Sequence, residues 1–188
     1  MWIEDDHFSL LSAAPYQPRV AKACSRWVVV RSVSKFLGPD FRLAVCTGDP
    51  NTMNALQANL WLTQRWQSHW LQRLAAALLG DAGIQAKIQR AAEAYRQRRH
   101  ALTSSLVPLG VQVPPGEGLN VWLSVEGGDA LVAWLLGRGI AVRGNRDFFG
   151  ADGSGIRVTF SQLDKEGMAL LSAALADWRR VALDAAQA

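Results

Sequence analysis

The stretch Arg31-Ser32-Val33-Ser34-Lys35-Phe36-Leu37-Gly38-Pro39-Asp40-Phe41-Arg42 decides how this chain is read. It follows a short apolar run over residues 27–31, of strand length and rich in β-branched side chains, and Gly38-Pro39 marks a turn beyond it. Lys35 thus stands just past a strand end, with two hydroxyls before it and an arginine seven residues after it. Thirty residues upstream lies an acidic pair, Asp5-Asp6, after another apolar run over residues 2–4. In open α/β sheets, ligands bind beyond the strand ends, which is where Asp5 and Lys35 fall.

These residue types answer the demands of one kind of ligand. A lysine amine can condense with an aldehyde, and Lys35 is the candidate catalytic residue. A phosphate needs fixed donors and a positive charge, which Ser32, Ser34 and the forked guanidinium of Arg42 supply. A basic ring nitrogen stays protonated beside a carboxylate, for which Asp5 is chosen, with Asp6 as the alternative. An aldehyde, a phosphate and a basic ring nitrogen occur together in pyridoxal 5′-phosphate, the cofactor expected here.

Four stretches carry a wider likeness: Ile3-Glu4-Asp5-Asp6-His7, the run from Ser32 to Arg42, Tyr95-Arg96-Gln97-Arg98-Arg99-His100-Ala101-Leu102, and Ile156-Arg157-Val158-Thr159-Phe160-Ser161. In type, order and approximate spacing the chain resembles the fold-type-I aminotransferases, and among them the aminotransferase-like domain of the MocR subfamily of GntR-type transcriptional regulators. The resemblance implies an α/β fold: part of the large domain, with a mixed sheet, over residues 1–80, a connecting helix over 81–108 and a small α+β C-terminal domain over 109–188. It implies a cytoplasmic homodimer whose cofactor-binding residues are Asp5, His7, Ser32, Ser34, Lys35 and Arg42. Arg157 would grip the carboxylate of an amino-acid ligand, with Gly118 and Asn120 in the same pocket. His7 stands where most of these proteins have a tyrosine, and is read as touching the cofactor's phenolic oxygen. Proteins of this kind are longer, so the chain is expected to be the C-terminal part of a larger protein, its DNA-binding winged helix lying upstream. The effector would be a B6 vitamer or an amino acid, and a catalytic aminotransferase is the rival reading.

Composition sets the remaining bounds. With 188 residues and 49% apolar content, the chain can bury a core as one domain or two small ones. A net charge of +4, spread along the chain, does not make a nucleic-acid face. The densest basic group, Arg96, Arg98, Arg99 and His100, is read as a solvated helix face. Cys24 and Cys46 have neither disulfide-framework nor metal-site spacing, and apolar runs end well short of a membrane span.

Beyond a third strand over 43–47, helical spacing begins at Asp49-Pro50-Asn51 and carries Met53, Leu56, Leu60, Trp61, Trp66 and Trp70 as far as a break at Gly80-Asp81. Trp61, Trp66 and Trp70 are expected in a core or a subunit contact. A second long helix is expected over 82–106. Strands follow over 111–113, 120–125, 140–143 and 155–160, with helices over 129–136 and 164–181 and a frayed tail over 184–188. The segments 13–24 and 150–155 read as loops.

Overall fold

The computed structural model describes residues 1–12, 14–17, 19, 24–150 and 154–187, the last five as backbone. Parts of the expected loops, residues 13, 18, 20–23 and 151–153, lie outside the described residues. The chain divides into two compact units, Met1–Glu93 and Ala94–Ala188.

The first unit holds a three-stranded sheet in the order β1(Trp2–Asp6), β2(Trp27–Ser32), β3(Ala44–Gly48). β1 runs parallel to β2, with Asp5 opposite Val30 and Asp6 opposite Arg31. β3 runs antiparallel, with Ala44 opposite Ser32. The sheet is therefore mixed, and the C-terminal ends of β1 and β2 share one edge with the N-terminal end of β3. Val28, Val29 and Val33 are buried, which is what the β-branched run around β2 is for.

Helix α1(Pro50–Leu62) begins where the sequence signals it: Asp49 caps it, accepting from the amides of Asn51 and Thr52 at 3.1 Å each, and Pro50 opens the first turn. The same carboxylate accepts from the Trp27 amide at 2.7 Å, so one side chain fixes both the helix start and the entry to β2. Thr52, followed by the Trp27 amide, holds the Asp49 carboxyl down at about 2.

The helix expected to run on to Gly80 stops at Leu62, and α2(His69–Gly80) is a separate element. The interruption contains neither glycine nor proline. Arg65 takes a left-handed φ of 61° and Ser68 caps the new helix by accepting from the Leu71 amide at 3.3 Å. Trp61, Trp66 and Trp70 are 61%, 69% and 82% exposed, so the core half of their expectation is corrected. The third helix, α3(Ala82–Leu106), has the expected bounds, and the division between the units falls within it.

The second unit packs its helices on a sheet ordered β4(Asn120–Leu123), β6(Ile156–Thr159), β5(Arg143–Gly144), antiparallel throughout. Alternation along β4 and β6 sends Val121, Leu123, Ile156 and Val158 inward, and Phe160 continues the series just past β6. They meet Leu131 and Leu135 of α4(Gly128–Leu136), Leu171 and Leu175 of α6(Lys165–Gln187), and Leu102 and Leu106.

Several expectations here need correction. Residues 111–113 form no strand, only an isolated bridge between Gln112 and Ser124. The strand over 140–143 shrinks to two residues, and a short helix, α5(Arg146–Phe149), follows it unannounced. α6 continues to Gln187, so the expected frayed tail is helical as far as it is described. The basic run on α3 is not simply solvated: Arg98 donates to the Ser161 carbonyl, and Arg99 to the carbonyls of Pro114 at 2.5 Å and Asn120 at 3.4 Å. These long side chains tie the helix to the loops flanking β4 and β6.

Candidate functional site

The register of the first sheet sorts the candidate residues. Cross-strand partners share a face, so Asp5 lies on the face of Val30, which is also that of Ser32 two residues on, while Asp6 and Arg31 occupy the other. Asp6 is fully engaged. It accepts from the Ser9 hydroxyl at 2.5 Å, the Ser9 amide at 2.9 Å, the Phe8 amide at 3.1 Å and Arg31 Nε at 2.7 Å. These contacts close the chain into a turn, Ser9–Leu11, directly after β1.

Burial pushes the Asp6 carboxyl up, and the Ser9 hydroxyl and amide, with Arg31, outweigh it and leave the group below its ordinary value. A carboxyl depressed on folding stabilises the fold above its unfolded pKa, about 4, and loses that contribution as pH falls through the folded value. Asp6→Asn is therefore expected to destabilise the chain at pH 7 by about 1–3 kcal/mol. The gap between wild type and variant should narrow when urea midpoints are measured near pH 3. A gap that did not change with pH would show that the charge plays no part.

Asp5, by contrast, is largely exposed and touches His7, whose Nε2 lies 3.0 Å from Oδ1 and 3.1 Å from Oδ2. His7 Nδ1 is buried and has no hydrogen-bond partner among the described residues.

Ser32 closes β2 as a buried hydroxyl 3.0 Å from that of Ser34, which is also buried. The chain then winds through one tight turn, with the Phe36 and Leu37 amides donating to the Val33 carbonyl at 3.3 and 2.9 Å. Lys35 sits in that turn and is exposed. Gly38, at φ 125°, releases the chain in a conformation open mainly to glycine. The segment returns through Arg42, which is exposed, to the start of β3, and the Val33 amide donates to the Leu43 carbonyl at 3.1 Å. Topology thus brings Asp5 and His7, Ser32 to Lys35, and Arg42 to one edge of one sheet. An amine, two hydroxyls, a guanidinium and a carboxylate are presented together there, a set suited to a phosphorylated aldehyde with a basic ring.

Arg157 belongs to the second unit, on the sheet face away from the core, in register between Trp122 and Arg143. Its Nε is buried with no hydrogen-bond partner among the described residues, and its guanidinium lies 4.8 Å from the Phe148 ring centre. Asn120 accepts from the Thr159 hydroxyl at 2.7 Å on the same face. Sequence reasoning missed Phe148 and Phe149 because the four-residue helix that carries them is too short to leave a periodic signal.

Among the described residues no group of three or more His, Cys, Asp or Glu could hold a metal ion, and no helix is long and apolar enough to cross a membrane. Two cavities, of about 350 and 660 Å³, lie in the second unit around Gly110 and Val111.

Comparison with known proteins agrees with this architecture. The chain is 38% identical, over 91% of its length, to the vitamin B6 salvage pathway transcriptional repressor PtsJ of Salmonella typhimurium, of which it covers 40%. It is 28% identical, over 78% of its length, to the HTH-type transcriptional regulator TauR of Rhodobacter capsulatus, of which it covers 32%. It spans less than half the length of either relative. Solved structures share the fold: aspartate aminotransferase of Thermus thermophilus with maleate (TM-score 0.78, 21% identity, 93% of this chain and 47% of that one) and an aromatic aminotransferase of Pyrococcus horikoshii (TM-score 0.80, 15%, 95% and 50%). The model of the family "Aminotransferase class I and II" matches residues 6–175, and the chain belongs to that family.

Proposed function

We propose that this chain is the aminotransferase-like effector domain of a MocR-type, GntR-family transcriptional regulator, with pyridoxal 5′-phosphate as its cofactor and a B6 vitamer or an amino acid as its ligand. One observation carries the reading: Asp5, the Ser32–Ser34–Lys35 turn and Arg42 converge on one sheet edge in a chain 38% identical to a repressor of vitamin B6 salvage.

The residues present fit the cofactor. Lys35 is exposed past the strand end, so its amine is open to an aldehyde. The Ser32 and Ser34 hydroxyls now bond to one another, and each can turn to donate to a phosphate, with Arg42 adding charge. Asp5 keeps an exposed carboxylate, shared so far with His7 alone, that can also meet a protonated ring nitrogen, whereas Asp6 is saturated by four donors. The orphaned Nδ1 of His7 is a further polar atom in want of a partner. When bound, the cofactor supplies an electrophilic carbon and an electron-withdrawing ring. Lys35 would hold it covalently, Asp5 would keep the ring nitrogen protonated, and Arg157 would orient a ligand's carboxylate.

The exposed Trp61, Trp66 and Trp70 suit burial against a second copy, and a cytoplasmic dimer is part of the proposal. DNA would be reached only through a winged-helix segment preceding these residues in the complete protein. Ligand binding moves DNA affinity only if the ligand prefers one conformational state. With a duplex selected from a random pool, pyridoxal 5′-phosphate, pyridoxal or pyridoxine is expected to change the complete protein's DNA affinity by about fivefold or more. No change with any of the three would defeat the regulator reading.

The second reading is a catalytic aminotransferase, favoured by the fold shared with aminotransferases of solved structure. Lys35 would then also move the substrate's α-proton. Transfer from an amino acid to 2-oxoglutarate by the complete protein at about 1 s⁻¹ or faster would favour it.

A further inference from the structure

The outer face of the second unit's sheet carries a row of three large side chains. Trp122, Arg157 and Arg143 stand side by side in register across β4, β6 and β5. Two cations directly opposite one another in a sheet repel, and such a pair persists when something else compensates it. Arg143 has a compensating partner, its Nε lying 3.2 Å from Asp147. Among the described residues Arg157 has no carboxylate partner, and its Nε is buried and orphaned. Among the described residues, one guanidinium in the row is therefore left without an anion.

What surrounds that guanidinium is aromatic. Phe148 lies 4.8 Å from the Arg157 guanidinium and 5.5 Å from that of Arg143. Trp122 meets Phe148 and Phe149 edge-on, with centroids 6.0 and 6.1 Å away. Trp122 is fixed from below, because Gly155, at φ 124°, leaves room for the indole where any Cβ would lie 2.5 Å from its Nε1. Phe149 is 71% exposed, a large apolar ring that packs on Trp122 and otherwise faces solvent.

We propose that Trp122, Phe148 and Phe149 form a side-chain subsite next to Arg157, which selects a ligand carrying a single carboxylate on a flat, aromatic body. This rests on the reading of Arg157 as the carboxylate grip and goes further, by naming the ligand class. A dicarboxylate is disfavoured because the second guanidinium, Arg143, is already neutralised by Asp147. A neutral aromatic compound is disfavoured because it leaves the buried Arg157 donor unmatched.

The test is an NMR titration of the isotope-labelled 188-residue chain with four probes: propionate, 3-phenylpropionate, 3-phenylpropionamide and glutarate. The acid 3-phenylpropionate is expected to bind about fivefold or more tightly than propionate, with the amide weaker still. Shifts should gather at Trp122, Phe148, Phe149 and Arg157. Phe149→Ser, at an exposed position, should erase the aromatic preference while leaving propionate unchanged. Arg143→Gln should alter 3-phenylpropionate binding less than about twofold. Equal binding of propionate and 3-phenylpropionate, both lost in Arg157→Gln, would overturn the aromatic subsite and leave the carboxylate grip standing. So would tightest binding of glutarate, abolished by Arg143→Gln. Failure of every carboxylate to bind at millimolar concentration would overturn the Arg157 reading and the subsite with it.

Discussion

Lys35→Ala abolishes covalent capture of pyridoxal 5′-phosphate by this chain: that is the expected result when the protein is incubated with cofactor, reduced with borohydride and mapped by mass spectrometry. The chain has four lysines, Lys22, Lys35, Lys87 and Lys165, which with the N-terminal amine are the alternative sites of reduction monitored in one experiment. Among the described residues, Lys35 is the lysine at the sheet edge where hydroxyls, a guanidinium and a carboxylate also gather. Any exposed amine can condense transiently with an aldehyde, but stoichiometric modification of one lysine requires that phosphate and ring be held as well. Wild type should therefore be labelled on Lys35 alone. Lys35→Arg should remain unlabelled although it keeps the charge, because a guanidinium does not condense. Arg42→Gln should leave Lys35 reactive and weaken cofactor affinity by about tenfold or more, the scale of a charge-assisted phosphate contact. Labelling scattered over the four lysines, or undiminished in Lys35→Ala, would remove the basis for the cofactor site.

Much of the local structure around the candidate site was legible because its logic is local. Strand, turn and chemistry follow one another within residues 27–42, and Gly38-Pro39 fixes where the turn ends. The start of α1 was equally plain, since Asp49-Pro50 combines a cap with a residue suited only to a first turn. What escaped depends on partners distant in sequence. The gap between α1 and α2 contains no breaker, and the apolar residues on either side preserve near-helical spacing across it. Only the left-handed Arg65 and the weak cap at Ser68 reveal it. Residues 111–113 look like a strand, yet pair through a single bridge, because β propensity reports suitability for a sheet and not the presence of a neighbour. The roles of Arg98 and Arg99 were hidden for the same reason, as their acceptors lie up to 63 residues away. Nor could the sequence tell which of Asp5 and Asp6 is engaged: adjacent carboxylates face opposite ways, and it is Ser9 and Arg31 that occupy Asp6.

Phe160→Ala should have the largest effect on stability of any single substitution considered. The ring is fully buried and is the largest side chain in the core of the second unit, packed among residues of β4, β6, α4 and α6. Its backbone is also fixed: the amide donates to the Leu119 carbonyl at 3.0 Å and the carbonyl accepts from the Leu163 amide at 3.1 Å. Pinned on both sides, the segment cannot collapse into the space a smaller residue leaves, so both the transfer cost and the cavity cost should appear. Together these amount to about 3–5 kcal/mol, which corresponds to roughly 2 M in the urea midpoint for a transition of ordinary steepness. Phe160→Leu keeps most of the volume and should cost less than half as much. Thr159→Ala, one residue away on the outer face, removes only the exposed hydrogen bond to Asn120 and should cost about 1 kcal/mol or less. Hydrogen exchange at the amides of Val121, Leu123, Ile156 and Val158 should accelerate in Phe160→Ala and scarcely change in Thr159→Ala. A loss below about 1 kcal/mol for Phe160→Ala would mean that the core yields around the cavity. The outcome bears on function, because Ile156, Val158 and Phe160 seat the same strand whose opposite face presents Arg157. The guanidinium can be held for a ligand only as firmly as these three side chains hold the strand beneath it.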